Sequence, residues 1–75
     1  VLLTIDSKNS SKPTVTDGYE FKYVISGSCD YHINDEVVSL NEGDSIYFDA
    51  SKPHFPKNKT KKKTIMLVVY FLLPK

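Results

Sequence analysis

The sequence predicts an all-β domain, a sandwich or a barrel built from short strands. Three observations indicate this fold class. About seven runs are rich in β-branched and aromatic residues, turn residues separate them, and no stretch has the period of an amphipathic helix. The chain has 75 residues, which allows one domain, so residues 1–75 are expected to form a single barrel.

The first half of the chain contains three of the predicted strands. Residues 1–6 are apolar and then polar, which is typical of a strand with one buried face. Residues 7–13 are a Ser/Lys/Asn loop that ends at a proline. Residues 14–16 form a short β-branched triplet, and residues 20–26 alternate with period two after the Asp17-Gly18 turn.

The second half continues the pattern. Residues 29–33 and 37–40 are predicted to form a hairpin around a polar turn, and a second turn leads into a strand at residues 45–48. Residues 55–58 and 64–73 are the last two predicted strands. Between them lies a cluster of lysines at positions 57, 59, 61, 62 and 63, which we interpret as a solvated hairpin loop rather than a nucleic-acid patch, because no aromatic or arginine is interleaved.

The composition indicates the cellular environment in which the chain is expected to function. The net charge is +1, and the single cysteine, Cys29, excludes an internal disulfide, so a reducing, cytoplasmic environment is expected. Cys29 alternates with Tyr31 and Ile33, which predicts a small buried apolar side chain rather than a nucleophile. No apolar run approaches the roughly 20 residues of a membrane span, so no membrane partner is expected.

Two segments resemble the paired motifs of cupins. Residues 20–27 (EFKYVISG) resemble the end of the first motif, in which a glutamate stands seven residues before a glycine. Residues 43–58 resemble the second, with a glycine, then Asp49-Ala50-Ser51 where the family often has Pro-x-Gly, then His54 and Asn58. The resemblance implies a cupin double-stranded β-helix, a small jelly-roll barrel. The amino-acid sequences of both segments are also similar to those of the C-terminal cupins of bacterial helix-turn-helix (XRE-type) regulators.

The chain departs from the pattern of metal-binding cupins. Such cupins usually carry His-x-His shortly before the glutamate, and these positions are Thr14 and Thr16 here. Only Glu20 and His54 match the usual four ligands, and a threonine hydroxyl is a poor ligand beside imidazole and carboxylate. We therefore expect no metal cofactor; a divalent metal on Glu20 and His54 is the alternative.

A polar cluster is predicted where the metal would be. Lys22 follows Glu20 by two residues on a strand, so both side chains point the same way, and a buried ammonium needs a partner. The hypothesis is a Glu20–Lys22–His54 cluster; the alternative is that Lys22 extends out of the barrel mouth while Glu20 hydrogen-bonds nearby threonines. The predicted ligand-binding residues are Thr14, Thr16, Glu20, Lys22, Tyr31, Phe48 and His54, the two aromatic ones being either stacking surfaces or barrel core.

The favoured function is non-enzymatic: an effector-sensing or dimerisation domain of a cytoplasmic bacterial transcriptional regulator that binds a small polar or anionic molecule. The chain is expected to be a fragment whose DNA-binding domain lies upstream of Val1, so DNA is contacted only through that domain. A homodimer is expected, with residues 1–5 and 64–73 at its interface. The rivals are a small metal-dependent cupin oxygenase, isomerase or lyase, and a structural barrel with a filled core.

Overall fold

A computed structural model describes residues 1–7, 9–10 and 12–72, which form eight strands and, within those ranges, no helix. The strands are β1 (Leu2–Ile5), β2 (Asn9–Ser10), β3 (Gly18–Ser26), β4 (Cys29–Ile33), β5 (Glu36–Leu40), β6 (Ser45–Asp49), β7 (His54–Asn58) and β8 (Thr64–Leu72). All pairings are antiparallel, in one sheet ordered β1-β8-β3-β6 and another ordered β2-β7-β4-β5. The all-β prediction is confirmed.

The core lies between the two sheets and follows from the alternation of each strand. On β3, the side chains of Glu20, Lys22 and Val24 point inward, and on β4 those of Cys29 and Tyr31 do so. The remaining buried apolar side chains come from five other parts of the chain: Ile5, Leu40, Phe48, Ala50, Met66 and Val68.

Cys29 is a core residue, as its alternation with Tyr31 predicts. Burial is the main reason why the pKa of its thiol rises to about 11, and the neighbouring charge of Asp30 adds to the rise although Lys22 opposes it. A thiol with so high a pKa is almost wholly protonated at neutral pH, and the thiolate is the reactive form. Cys29 therefore acts as a small apolar side chain.

Three strand predictions need correction. The predicted loop at residues 7–13 contains β2, because Asn9 and Ser10 pair with the end of β7, a partner about 50 positions away that local sequence cannot reveal. The triplet at residues 14–16 is not a strand; only Thr14 forms a bridge, to His54. β7 begins at His54, one residue earlier than predicted, and Leu73 lies outside the described residues.

Asn58 organises the lysine loop between β7 and β8. Its side chain is 1% exposed, and its amide nitrogen donates to the carbonyl oxygens of Ile5, Asp6 and Lys62 at 2.8–3.2 Å. Its amide oxygen accepts hydrogen bonds from the backbone and the hydroxyl of Thr60. The prediction of an exposed lysine loop is confirmed, but Asn58 is a buried anchor of that loop rather than a simple turn residue.

Candidate functional site

A cavity of about 210 Å³ opens between the two sheets and holds most of the predicted site residues. Its walls come from β1, β3, β4, β7 and β8 together with the segment that precedes β3. The lining residues are Leu3, Lys12, Thr14, Thr16, Glu20, Lys22, Tyr31, His54, Pro56 and Tyr70. The structure therefore brings residues from six separate segments to one chamber.

Glu20 and Lys22 lie deep in this cavity because β3 alternates, and they are 2% and 3% exposed. The ammonium nitrogen of Lys22 lies 3.0 Å from Oε1 of Glu20 and 4.8 Å from the ring centre of Tyr31. A cation over an aromatic face at this distance is attracted by the ring quadrupole. Lys22 is thus held by a carboxylate and a ring inside the barrel, as the cluster hypothesis requires.

His54 completes the cluster from the opposite sheet. Its Nε2 lies 3.2 Å from Oε2 of Glu20, and its Nδ1 lies 2.9 Å from the carbonyl oxygen of Lys52. Both ring nitrogens face acceptors, so an imidazolium donates two hydrogen bonds here and a neutral ring donates one. The ring stands edge-on to Phe48 at 5.1 Å and nearly parallel to Tyr31 at 6.3 Å, which fixes its orientation.

The carboxyl group of Glu20 is ionised by its surroundings despite being buried. Burial alone raises its pKa, but hydrogen bonds from Thr16 and Lys22 and the charges of Lys22 and His54 together outweigh burial. The net result is a pKa below the ordinary value of 4.5. At neutral pH the cavity floor therefore contains a carboxylate paired with an ammonium.

Most predicted site residues line the cavity, with one exception. Thr14, Thr16 and Tyr31 are in its wall, whereas Phe48 lies behind His54 in the core and does not line it. The backbones of Thr14 and His54 exchange two hydrogen bonds, which places the first threonine at the cavity mouth.

Four lining residues were missed from the sequence: Leu3, Lys12, Pro56 and Tyr70. Period-two alternation could have predicted Tyr70, because it follows Met66 and Val68 on the inward face of β8. No sequence pattern could have placed Lys12 at the cavity, because it lies in a loop whose course depends on tertiary contacts.

Low pH should reduce the free energy of unfolding, because it protonates the carboxylate of Glu20. Because its pKa is lower in the folded than in the unfolded chain, its ionised form stabilises the fold above the unfolded pKa near 4.5, and that stabilisation is lost as pH falls through the folded pKa. Asp49 adds to this dependence, since hydrogen bonds with Ser51 lower its pKa as well. We expect the free energy of unfolding, measured by urea titration, to fall as the pH is lowered below the unfolded pKa of Glu20 near 4.5.

The matched variants for this experiment are Asp49→Asn and Lys22→Met. In Asp49→Asn the decline should persist in part, because Glu20 is intact. In Lys22→Met it should become shallower, because loss of the ammonium raises the pKa of Glu20 toward its unfolded value. Equal pH slopes in the wild type and Lys22→Met would contradict this account.

Sequence comparison identifies the family. The family model described as a cupin domain matches residues 1–70. The chain belongs to the cupin family. No curated protein sequence is significantly similar to it.

Solved structures of cupin fold are similar to the chain at low sequence identity. A Cupin 2 conserved barrel domain protein from Salinispora arenicola has a TM-score of 0.83 at 18% identity, covering 93% of this chain and 59% of that one. A predicted oxalate decarboxylase from Thermotoga maritima gives 0.85 at 23%, covering 96% and 64%. The polyketide cyclase RemF from Streptomyces resistomycificus gives 0.80 at 20%, covering 92% and 50%.

These similarities establish the cupin double-stranded β-helix for this chain. The chain spans between half and two-thirds of the length of these three proteins. No helix in residues 1–7, 9–10 and 12–72 is long and apolar enough to cross a membrane.

Cupins often bind a metal, and the residues of this cupin do not suit one. The 3.2 Å between Nε2 of His54 and Oε2 of Glu20 is a spacing that two ligands on one ion can have at bond lengths of ~2.1 Å. These two side chains supply two possible metal ligands. Within the described part of the chain, no three His, Cys, Asp or Glu side chains are grouped to hold an ion. His32, the other histidine, stacks on Phe55 at 4.5 Å and does not line the cavity.

Lys22 adds a second obstacle to metal binding. Its ammonium lies on Oε1 of Glu20, so a cation entering beside this carboxylate meets a positive charge at close range. Thr14 and Thr16, the other two positions of the family pattern, offer hydroxyl groups only. The cavity therefore retains two of four ligand positions and contains a lysine that opposes the ion.

Proposed function

We propose that this cupin binds a small organic anion in the barrel without a metal, as the effector-sensing domain of a cytoplasmic bacterial transcriptional regulator. The observation that carries the ligand proposal is the buried pair of Glu20 and Lys22 at the cavity floor, with His54 beside it. An ammonium in the place of a metal ion supplies positive charge without redox or Lewis-acid chemistry. It suits recognition rather than catalysis.

The charges of the cavity favour an anion. Lys12 and Lys22 contribute two positive charges and Glu20 one negative charge, so the lining has an excess of one positive charge when His54 is neutral. A carboxylate placed between the two lysines gives each ammonium an anionic neighbour and forms charge-assisted hydrogen bonds.

The rest of the lining suggests what the anion carries. Leu3, Pro56 and the ring of Tyr31 offer an apolar wall, and the hydroxyls of Thr14 and Thr16 lie at the polar side. Small-molecule sites combine an apolar wall with convergent polar groups, and this lining contains both. A monocarboxylate with a small apolar body fits this distribution, and a chamber of about 210 Å³ favours ligand binding over a filled, purely structural barrel.

The regulator role rests on the similarity of the two motif segments to regulator-borne cupins. Among the described residues no helix is available to enter a DNA groove, so DNA contact is assigned to a domain upstream of Val1. The sequence encoded directly before Val1 tests this part: a helix-turn-helix pattern supports the regulator, and a second cupin there overturns it.

Ligand binding is tested by an NMR titration with benzoate as the anionic probe and benzamide as its neutral isostere. We expect benzoate to shift the backbone amides of the lining segments of β3 and β7 with a dissociation constant on the order of 1 mM, and benzamide to leave them unchanged. Lys12→Met should weaken benzoate binding several-fold and Lys22→Met should abolish it. Lys57→Met, on the outer side of β7, is the matched control and should bind as the wild type does.

Two results would overturn the ligand proposal. One is equal response to benzoate and benzamide, which would remove the role of charge. The other is stoichiometric divalent metal in protein purified without chelator, which would favour the metal-dependent enzyme instead.

A further inference from the structure

Lys22 is the one buried lysine among the described residues. Its side chain is 4% exposed and lines the cavity, whereas the other described lysines are exposed or half-buried. Burial opposes the charged form of an amine, and buried lysines are the ones that proteins use to form imines with carbonyl compounds. A primary amine in the lining of a ligand cavity can therefore react with a ligand as well as attract it.

The amine of Lys22 can attack a carbonyl carbon only after it loses a proton, and the cluster provides a route for that proton. Nζ of Lys22 lies 3.0 Å from Oε1 of Glu20, and Oε2 of the same carboxylate lies 3.2 Å from Nε2 of His54. One carboxylate therefore joins two basic groups, each within hydrogen-bond distance of one of its oxygens. A proton can pass from the amine to the carboxylate and from the carboxylate to the imidazole.

The contacts of His54 favour a proton on its Nε2. Nδ1 lies 2.9 Å from the carbonyl oxygen of Lys52, which can only accept, so Nδ1 carries a hydrogen. The 3.2 Å contact between Nε2 and Oε2 of Glu20 is a hydrogen bond only when a second proton lies between these two atoms. A proton that leaves Lys22 through Glu20 therefore reaches a position where the imidazole already has an acceptor beside it.

We infer that the ligand of this cavity is a small oxo acid, and that Lys22 captures its carbonyl group reversibly as an imine while Lys12 pairs with its carboxylate. The inference rests on the proposed anion site and adds the chemical class of the ligand. Lys12 lines the cavity from the segment before β3 and Lys22 lines it from the floor, so the two amines can serve two different groups of one ligand. An oxo acid combines these two groups with a small apolar body, which suits the wall formed by Leu3 and Pro56.

Imine formation in this cavity balances without a further reactant. The ammonium of Lys22 gives one proton through Glu20 to His54, and the free amine forms a C–N bond to the carbonyl carbon while a second nitrogen proton moves to the carbonyl oxygen. The resulting carbinolamine loses its hydroxyl group, which takes the proton from His54 and leaves as water. The product is a protonated imine, which keeps the positive charge of Lys22 beside Glu20. Water reverses the reaction, so bound and free ligand remain in equilibrium.

The experiment is reductive trapping with 4-formylbenzoate, which adds an aldehyde to the benzoate probe. Cyanoborohydride reduces an imine to a stable secondary amine, and mass spectrometry of proteolytic fragments identifies the labelled lysine. We expect Lys22 to be labelled at least about 10-fold faster than Lys59, whose side chain is 66% exposed. Benzaldehyde, which lacks the carboxylate, should label Lys22 at least about 10-fold more slowly, because it gains no charge-assisted hydrogen bond from Lys12.

The variant His54→Gln tests the proton route. It should slow the labelling of Lys22 at least about 10-fold, because a positioned acid–base group contributes about 10²–10⁴-fold to such steps. Lys57→Met, on the outer side of β7, is the matched control and should be labelled at Lys22 as fast as the wild type. An unchanged rate in folded His54→Gln overturns the inference. If circular dichroism shows that His54→Gln is unfolded, the two wild-type comparisons decide: labelling of Lys22 no faster than Lys59, or equal rates with 4-formylbenzoate and benzaldehyde, overturns it.

The benzoate titration of the wild type separates this inference from the proposed function. Amide shifts with benzoate together with no selective labelling of Lys22 would refute the imine and leave the anion site in place. No response to benzoate and no selective labelling would refute both.

Discussion

Replacing Glu20 with glutamine should cost about 3–5 kcal/mol of unfolding free energy, because the change leaves the ammonium of Lys22 buried without a counter-charge. A 75-residue domain has on the order of 4–11 kcal/mol in total, so the variant should lose a large share of its stability. Glutamine keeps the shape of the side chain, which separates the loss of charge from a loss of packing. Urea unfolding followed by circular dichroism measures the difference.

Two further variants make this result specific. The double variant Glu20→Gln/Lys22→Met removes both charges and should recover most of the loss, since an uncharged pair of similar volume carries no buried ion. Glu42→Gln changes an exposed turn residue and should alter stability by less than about 0.5 kcal/mol. A cost below about 1 kcal/mol for Glu20→Gln would show that Lys22 reaches water at the cavity mouth, which is the alternative drawn from the sequence.

The triple variant Thr14→His/Thr16→His/Lys22→Met should convert the cavity into a divalent metal site. It adds two imidazoles at the mouth of the cavity that Glu20 and His54 already line, and it removes the ammonium from Glu20. Three histidines and one carboxylate form a set that binds Co²⁺ or Zn²⁺. At a Co²⁺ concentration about 100 times the dissociation constant, the free energy of unfolding should rise by about 2.7 kcal/mol.

Calorimetry and the visible absorption of Co²⁺ report this binding directly. The matched control Thr14→Ala/Thr16→Ala/Lys22→Met lacks only the imidazoles and should bind no Co²⁺, as should the wild type. Binding of Co²⁺ by the control with the same affinity would show that Glu20 and His54 suffice once Lys22 is gone. Failure of the folded triple variant to bind would show that positions 14 and 16 cannot direct ligands toward Glu20.

The fold was predicted from local sequence features, which can be identified without knowledge of tertiary contacts. Period-two alternation on β3 and β4 assigned each side chain to a face, and the structure places Glu20, Lys22, Cys29 and Tyr31 inside accordingly. Two motif segments were enough to indicate the cupin family, which the family match confirms. β2 escaped prediction because two polar residues become a strand only through pairing with β7.

The candidate site was predictable only in part. Alternation and motif position pointed to the partnership of Glu20 with Lys22, and the missing histidines followed from counting back to Thr14 and Thr16. The contribution of Lys12 was not predictable, because a loop residue has no period. Phe48 was taken for a possible ligand contact, but it packs behind His54, since the strand pattern shows that a side chain is inward and not how deep it lies.

By itself, the sequence determined the fold class, the alternation of β3 and β4, and that Glu20 and His54 are the two residues at the four ligand positions of the family pattern. These depend on residue type and spacing, which the chain carries before it folds. Tertiary structure alone decided that Lys22 stays on Glu20 instead of reaching solvent, and that His54 meets the other carboxylate oxygen. Each of these is a distance or a burial set by the packing of strands far apart in the chain.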